Sequence, residues 1–236
     1  MEYKKRIGDK LTSVKVLEIL PKFKNKVIVD NGCGDYNLVQ LSKDMGIKIP
    51  DVICSDASIY GGSKPDILAD GYALSFKKKS VDVFISLYVL EHLGYPDKYL
   101  KEMYRSLKYG GKVIIAVPVR SWYYGRIFYI RNYFTYFLLL LKRPELLRHP
   151  IKSFLDMFAH GKSLNWDGGL QDVTILDEMQ LWKDKKWGKL FSDAGFVIIS
   201  KSYVSNFFNL HLHRICKGSF LKNKLPVAAL YILEKV

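Results

Sequence analysis

A chain of 236 residues, 49% hydrophobic and 25% charged, is long enough to bury one sizeable core and too short for two generous domains. Its three cysteines, Cys33, Cys54 and Cys216, are widely separated, odd in number and without the paired spacing of a zinc site, and the opening MEYKKRIGDK has no apolar signal core, so a reducing cytoplasm is the expected setting. A formal charge of +14 favours contact with phosphate, anionic lipid or nucleic acid and says nothing about fold.

Ile7, Leu11, Val14, Leu17 and Leu20 recur at helical spacing and predict an amphipathic helix over 7–20, ending before Pro21 and packed beside a sheet. An apolar strand at 26–30 leads to a helix from Asn37 to Met45, stopped by Gly46. Short apolar runs bounded by turn residues predict strands at 51–56, 66–70 and 81–88. Leu100, Met103, Tyr104 and Leu107 give one face of a helix at 97–108, and a turn at Gly110 and Gly111 hands the chain to a strand at 112–119. Trp187, Leu190, Phe191 and Ala194 repeat the helical pattern, Gly195 suits a left-handed cap, and strands follow at 196–200 and in the terminal VAALYILEKV.

Near-continuous apolar strands alternating with helices predict a doubly wound α/β fold with a mostly parallel sheet covered on both faces. The chain then reads as a single domain over 1–236, with a helical insert over 120–184 where a minimal fold needs one crossover helix. Charge is uneven along it. Residues 1–26 hold eight Lys/Arg against three acids, residues 120–152 hold seven against Glu145 alone, and residues 153–184 reverse to six acids against Lys162 and Lys183. The uncharged run Tyr133 to Leu141 is nine residues long, short of the roughly twenty that a spanning helix requires.

The chemistry-bearing segment is VIVDNGCGDYN, 27–37, in which β-branched residues run into Asp30 and then into Gly32, Cys33 and Gly34. Two glycines at that spacing let backbone approach a bound nucleotide-like ligand. Asp56 closes the second strand, ADGYALSF places Asp70 after the third, SVDVFISLYVLEHL follows, and LKYGGKVIIAVP completes the series. In this order the segments resemble class I S-adenosylmethionine-dependent methyltransferases of the small-molecule and lipid "type 11" group, over roughly 25–120 and again at 186–200. The resemblance implies a Rossmann-like methyltransferase fold with a seven-stranded sheet and S-adenosylmethionine as cofactor.

By the same resemblance Asp30, Gly32, Cys33 and Gly34 border the methionine part, and Asp56 accepts from the ribose hydroxyls with Ala57 and Ser58 flanking the adenine. Asp70 takes the adenine amino group with Gly71 and Tyr72 alongside, and Leu87 and Tyr88 sit under the sulfonium. Tyr36 stands where the family's third glycine usually falls. A nicotinamide-binding Rossmann protein would need glycine at Asn37 and is the runner-up.

His92, just past the fourth strand, is a reachable base, with a packing role as the competing reading. Trp166, Asp167 and Asp172 could line an acceptor pocket or stand in an exposed loop, and His211 with His213 lacks a third ligand, so no metal is expected. The insert's basic aromatic part, 121–152, suits a lid over an apolar or lipid-linked acceptor and peripheral membrane contact, or else packing on the core or on a second subunit. The expected acceptor is a small molecule, a lipid-like molecule or a saccharide. RNA methylation is the alternative, set back because SLYV lacks the Asn/Asp-Pro-Pro-aromatic pattern and no Pro-Cys pair exists. A non-catalytic fold that retains the cofactor pocket is the third reading.

Overall fold

The computed structural model describes residues 7–34, 37–59, 64–121, 183–206 and 226–236. Seven strands form one sheet: β1 (Ile28–Asn31), β2 (Val52–Asp56), β3 (Ile67–Leu68), β4 (Val81–Leu87), β5 (Leu107–Pro118), β6 (Phe196–Asn206) and β7 (Pro226–Lys235). Their order is β3-β2-β1-β4-β5-β7-β6. All neighbours run parallel except β7, which pairs antiparallel with both β5 and β6. The order reverses between β1 and β4, and in open α/β sheets the carboxyl ends at such a reversal form the ligand crevice.

Among the described residues four helices cover the two faces: α1 (Ile7–Ile19), α2 (Leu38–Asp44), α3 (Pro96–Ser106) and α4 (Asp184–Asp193). Val16, Leu17 and Leu20 pack with Leu38 and Leu41 against Ile28, Val83, Ile85 and Ile114 on one face. On the other, Tyr99, Leu100, Met103, Trp187 and Phe191 pack against Val29, Phe84, Val113 and Ile115. Alternate residues of β1 and β4 thus enter opposite cores, which is why these strands read as unbroken apolar runs. Among the described residues no helix is long and apolar enough to cross a membrane.

Several expectations shift. The buried stripe of α1 contains Thr12, Ser13, Val16 and Leu17, while Leu11 and Val14 stay partly exposed. An apolar count misplaced that face because two small polar residues occupy it, one of them bonded across to Tyr88. The strand expected at 66–70 is only two residues long, with Asp70 beyond its end. Strand β5 starts at Leu107, not 112: Leu107 pairs with Val81 and a register shift follows. Lys235 explains the stop of α3. It is 2% exposed, and its Nζ donates to the carbonyls of Tyr104 (2.6 Å) and Leu107 (2.9 Å) at the helix end.

The basic and aromatic insert residues, with Arg126, Arg131, Lys142 and Arg143, lie outside the described residues. So do Tyr36, Trp166, Asp167, Asp172, His211 and His213.

Candidate active site

Past Asn31 the chain turns through Gly32 (φ 81°) and Gly34 (φ 65°), a region where any side chain is strained. A Cβ at Gly32 would collide with the Val89 side chain, whereas one at Gly34 would meet nothing within 4 Å. No described residue therefore crowds the backbone at Gly34. The turn is fixed to β2 from several points: the amides of Gly32 and Cys33 donate to the Ser55 carbonyl at 2.8 and 3.3 Å. The Gly34 amide donates to Asp56 Oδ2 at 2.9 Å.

A further tie corrects the cysteine expectation. Cys33 and Cys54 form a disulfide, with Cα atoms 5.7 Å apart. A separation of 21 residues hid the pair, but parallel pairing sets Asp30 opposite Cys54, and the returning glycine turn carries Cys33 onto the same spot.

Asp30, 4% exposed, lies in β1, which is buried along its whole length. Asp56, 8% exposed, closes β2; besides Gly34 it accepts from the Ser58 amide at 3.1 Å. An ionised carboxylate has about four lone-pair sites, so these two backbone bonds leave room for further donors. Ala57 lies exposed beside it. The adenine-side segment is adjacent, since the Ala69 amide donates to the Asp56 carbonyl at 2.9 Å. Asp70 is exposed, and its Oδ1 accepts from the Tyr72 amide at 2.9 Å, leaving the outer oxygen accessible.

Gly71 and Tyr72 rest on α3. A Cβ at Gly71 would lie 2.8 Å from the ring of Tyr99, and Tyr72 meets Tyr95 edge to face with centroids 6.2 Å apart. At the end of β4, next to Leu87, Tyr88 has φ 59°. For a bulky aromatic residue that is a backbone outlier, of the kind held in place only by its surroundings. Bonds from both its backbone and its side chain hold it: its amide donates to the Ala116 carbonyl at 2.9 Å, and its hydroxyl pairs with Thr12 Oγ1 at 2.6 Å.

His92 ends the 3-10 turn Leu90–His92 and is exposed. A cleft of about 420 Å3 opens between that turn and α4, lined by Leu90, Leu93, Pro96, Trp187 and Leu190 with Glu91, Lys186 and Lys189; His92 is not among its lining residues. The structure thus places the glycine turn, Asp30, Asp56, Asp70 and Tyr88 along the carboxyl ends of β1 to β4, with His92 in the turn that follows β4.

Sequence reasoning missed Asn31 and Ser55, cross-strand partners whose Nδ2 and Oγ are buried with no hydrogen-bond partner among the described residues. It also missed Tyr99, which looks like any other apolar-face residue of α3. Among the described residues no cluster of His, Cys, Asp or Glu has the makings of a metal site.

Residues 29–115 match the family model of the methyltransferase domain. The matched segment, residues 29–115 of 236, resembles a class I S-adenosylmethionine-dependent methyltransferase domain. It resembles solved S-adenosylmethionine-dependent methyltransferases from Mesorhizobium loti (14% identity, 97% of this chain and 100% of that chain, TM-score 0.54) and Archaeoglobus fulgidus (14%, 96% and 94%, TM-score 0.54). A further neighbour is the geranyl diphosphate C-methyltransferase of Streptomyces coelicolor (12%, 94% and 77%, TM-score 0.52). At such identities these neighbours establish the fold. An uncharacterised protein of Methanocaldococcus jannaschii is 32% identical over 113 residues, covering 47% of this chain and 50% of that protein. The chain therefore spans about half the length of that curated relative, and 30% of a second one from the same organism.

The methyltransferase crevice fits its donor on observations of this structure alone. No described residue stands over the Gly34 backbone, which leaves it free to border a ligand, and Asp56 retains acceptor capacity for vicinal hydroxyls. Asn31 offers a buried amide donor that no described residue satisfies.

Proposed function

We propose that this chain transfers a methyl group from S-adenosylmethionine to a small-molecule or lipid-like acceptor, a saccharide intermediate included. The observation carrying this reading is the convergence of the glycine turn, Asp56 and the segment starting at Asp70 on one crevice edge, sewn together by the bonds from Gly34 and Ala69 to Asp56. When bound, the cofactor supplies a methyl group on a sulfonium, already a good leaving group.

The chain's residues then have positional work. Asp56 accepts from the ribose hydroxyls, and Gly32 to Gly34 keep the methionine side free of side chains. Asp70 accepts from the adenine amino group, with Ala57, Gly71 and Tyr72 bordering the ring. Leu87 and Tyr88 form the floor, where Tyr88 holds a strained positive φ. Asp30 supplies the acidic edge of the methionine side. His92 is the candidate base for an acceptor that must lose a proton.

The cleft between Leu90 and Trp187 supports an acceptor with apolar bulk, since aliphatic and aromatic side chains dominate its wall. A diphosphate-bearing isoprenoid is the acceptor named for the Streptomyces coelicolor neighbour, so small apolar acceptors are compatible with this fold. The seven Lys/Arg of residues 120–152 support peripheral contact with an anionic membrane during lipid methylation.

Calorimetry with S-adenosylhomocysteine tests the cofactor reading: binding in the micromolar range is expected, and no heat at high micromolar concentration would remove it. Transfer of labelled methyl into a lipid extract, a polar metabolite extract and RNA then sorts acceptors. Label confined to RNA would overturn the small-molecule reading.

A further inference from the structure

Helix α3 presents one face to both halves of the crevice. Tyr99, Glu102 and Arg105 follow at intervals of three, so they share that face, and Tyr95 caps the start of the helix. Tyr95 packs on Tyr72, the Leu74 amide donates to Glu102 Oε2 at 3.1 Å, and Arg105 Nη2 donates to the Leu74 carbonyl at 3.0 Å. Tyr99 reaches further than the others. Its ring lies against Gly71, while its hydroxyl donates to the Asn31 carbonyl at 3.1 Å and pairs with Ser86 Oγ at 2.9 Å.

Asn31 is the last residue before the glycine turn, and Ser86 lies two residues before Tyr88. Burial pushes the Tyr99 hydroxyl well above its ordinary pKa, with the charges of Asp30 and Asp56 acting in the same direction, so it stays a protonated donor. Gly71 has no left-handed backbone requirement. Its lack of a side chain is explained by contact with the Tyr99 ring.

Resting on the cofactor reading above, we propose that Tyr99 is a positioning residue that sets the spacing between the adenine-side segment at Gly71 and the methionine-side turn after Asn31. It touches neither reactant. Its ring determines how close Gly71 comes, and its hydroxyl holds the turn at the other end. The pair Tyr99 and Gly71 acts as one unit: a larger residue at 71 requires a smaller one at 99.

Calorimetry with S-adenosylhomocysteine on the full chain decides the matter. Tyr99→Phe retains the ring and removes the buried bonds to Asn31 and Ser86, so the Kd should rise about tenfold while the melting temperature falls by an amount that Phe191→Leu can match. Ser86→Ala should move the Kd in the same direction by less. Phe191→Leu, in the same apolar cluster on α4, should lower the melting temperature at least as much and leave the Kd unchanged. Gly71→Ala alone should weaken binding, and adding it to Tyr99→Leu should cause no further loss.

Binding by Tyr99→Phe as tight as wild type overturns the proposal and leaves the cofactor reading intact. Equal weakening by Phe191→Leu does the same, because binding would then track stability alone. Strictly additive losses for Gly71→Ala and Tyr99→Leu remove the spacing argument. A wild type that binds no S-adenosylhomocysteine overturns the cofactor reading, and this inference falls with it.

Discussion

Two aspartates at opposite ends of the sheet order separate a carboxylate that builds the fold from one that can serve a ligand. Asp184, at the start of α4, is bonded by Lys201 Nζ at 2.6 Å, Tyr203 OH at 2.8 Å and Tyr231 OH at 3.3 Å. Three side-chain donors from β6 and β7 leave it little capacity, and the Lys201 ammonium lies near the rings of Tyr203 and Tyr231 as well. Asp56 accepts two backbone amides and no described side chain. Around it Gly32, Gly34 and the non-glycine Tyr88 all have positive φ. Polar clusters alone do not mark a site. Spare acceptor capacity beside a strained turn does.

The largest expected effect concerns the covalent tie at the cofactor end. Closing a loop of 21 residues restricts the unfolded chain by about 3 kcal/mol in the entropic account, so reducing Cys33–Cys54 should lower the denaturation midpoint by that order. Alkylation after unfolding checks the bond directly: one thiol, Cys216, should react without reductant and all three with it. Three reactive thiols in the unreduced chain would show that the turn is held by hydrogen bonds alone. Among the described residues no disulfide lies near Asp184, where reductant should change nothing.

Next comes the exchange of each carboxylate for an amide. Asp56→Asn should weaken S-adenosylhomocysteine at least tenfold, because a charge-assisted acceptor of two donors becomes a neutral group that repels one of them. Asp184→Asn should leave that Kd alone and destabilise the chain by about 1 kcal/mol, the scale of a partly exposed bonded ion pair. Reversed outcomes, with Asp184 governing binding, would erase the contrast between the two ends.

The sheet was legible because its signal is local. A strand buried on both faces must be apolar at every position, and Ile28–Val29, Val83–Phe84–Ile85 and Val113 to Val117 are. The glycine turn was legible because left-handed backbone leaves a mark in composition. What the sequence hid depends on partners far along the chain. Lys235 reads as a solvent-facing terminal lysine until β7 lies beside the end of α3, and Cys54 reads as one more apolar strand residue until the turn folds over it. Tyr99 belongs to the same class: an aromatic residue on an apolar helix face gives no hint that its hydroxyl meets Asn31.

Asn31 sharpens the comparison from the other side. Its buried Nδ2 has no described partner, a condition that costs a fold about 1 to 3 kcal/mol. In the unliganded chain, Asn31→Leu should therefore raise the melting temperature, by about 1 kcal/mol of stability once the altered shape is counted. With saturating S-adenosylhomocysteine that advantage should shrink if the amide meets a ligand acceptor. An advantage of equal size with and without ligand would mark Asn31 as a flaw of packing, without a role in binding.

The smallest effect is set by acid and acts through α3. The Arg105 guanidinium, bonded to Glu102 at 2.9 and 3.0 Å, holds that carboxyl below its ordinary range, with the Leu74 amide acting in the same direction. A carboxylate whose folded pKa is depressed stabilises the fold fully above its unfolded value, and that contribution is lost as pH falls from there through the folded value. Glu102 and Arg105 are partly exposed, so the term is about 0.5 kcal/mol. Stability of the wild type should decline below about pH 4.5 more steeply than that of Glu102→Gln, which has no proton to gain there. Because the same pair grips Leu74 by both its amide and its carbonyl, the decline should be accompanied by weaker S-adenosylhomocysteine binding in the wild type. Parallel pH profiles for the two proteins would assign the acid loss to other carboxylates and free the adenine-side segment from this control.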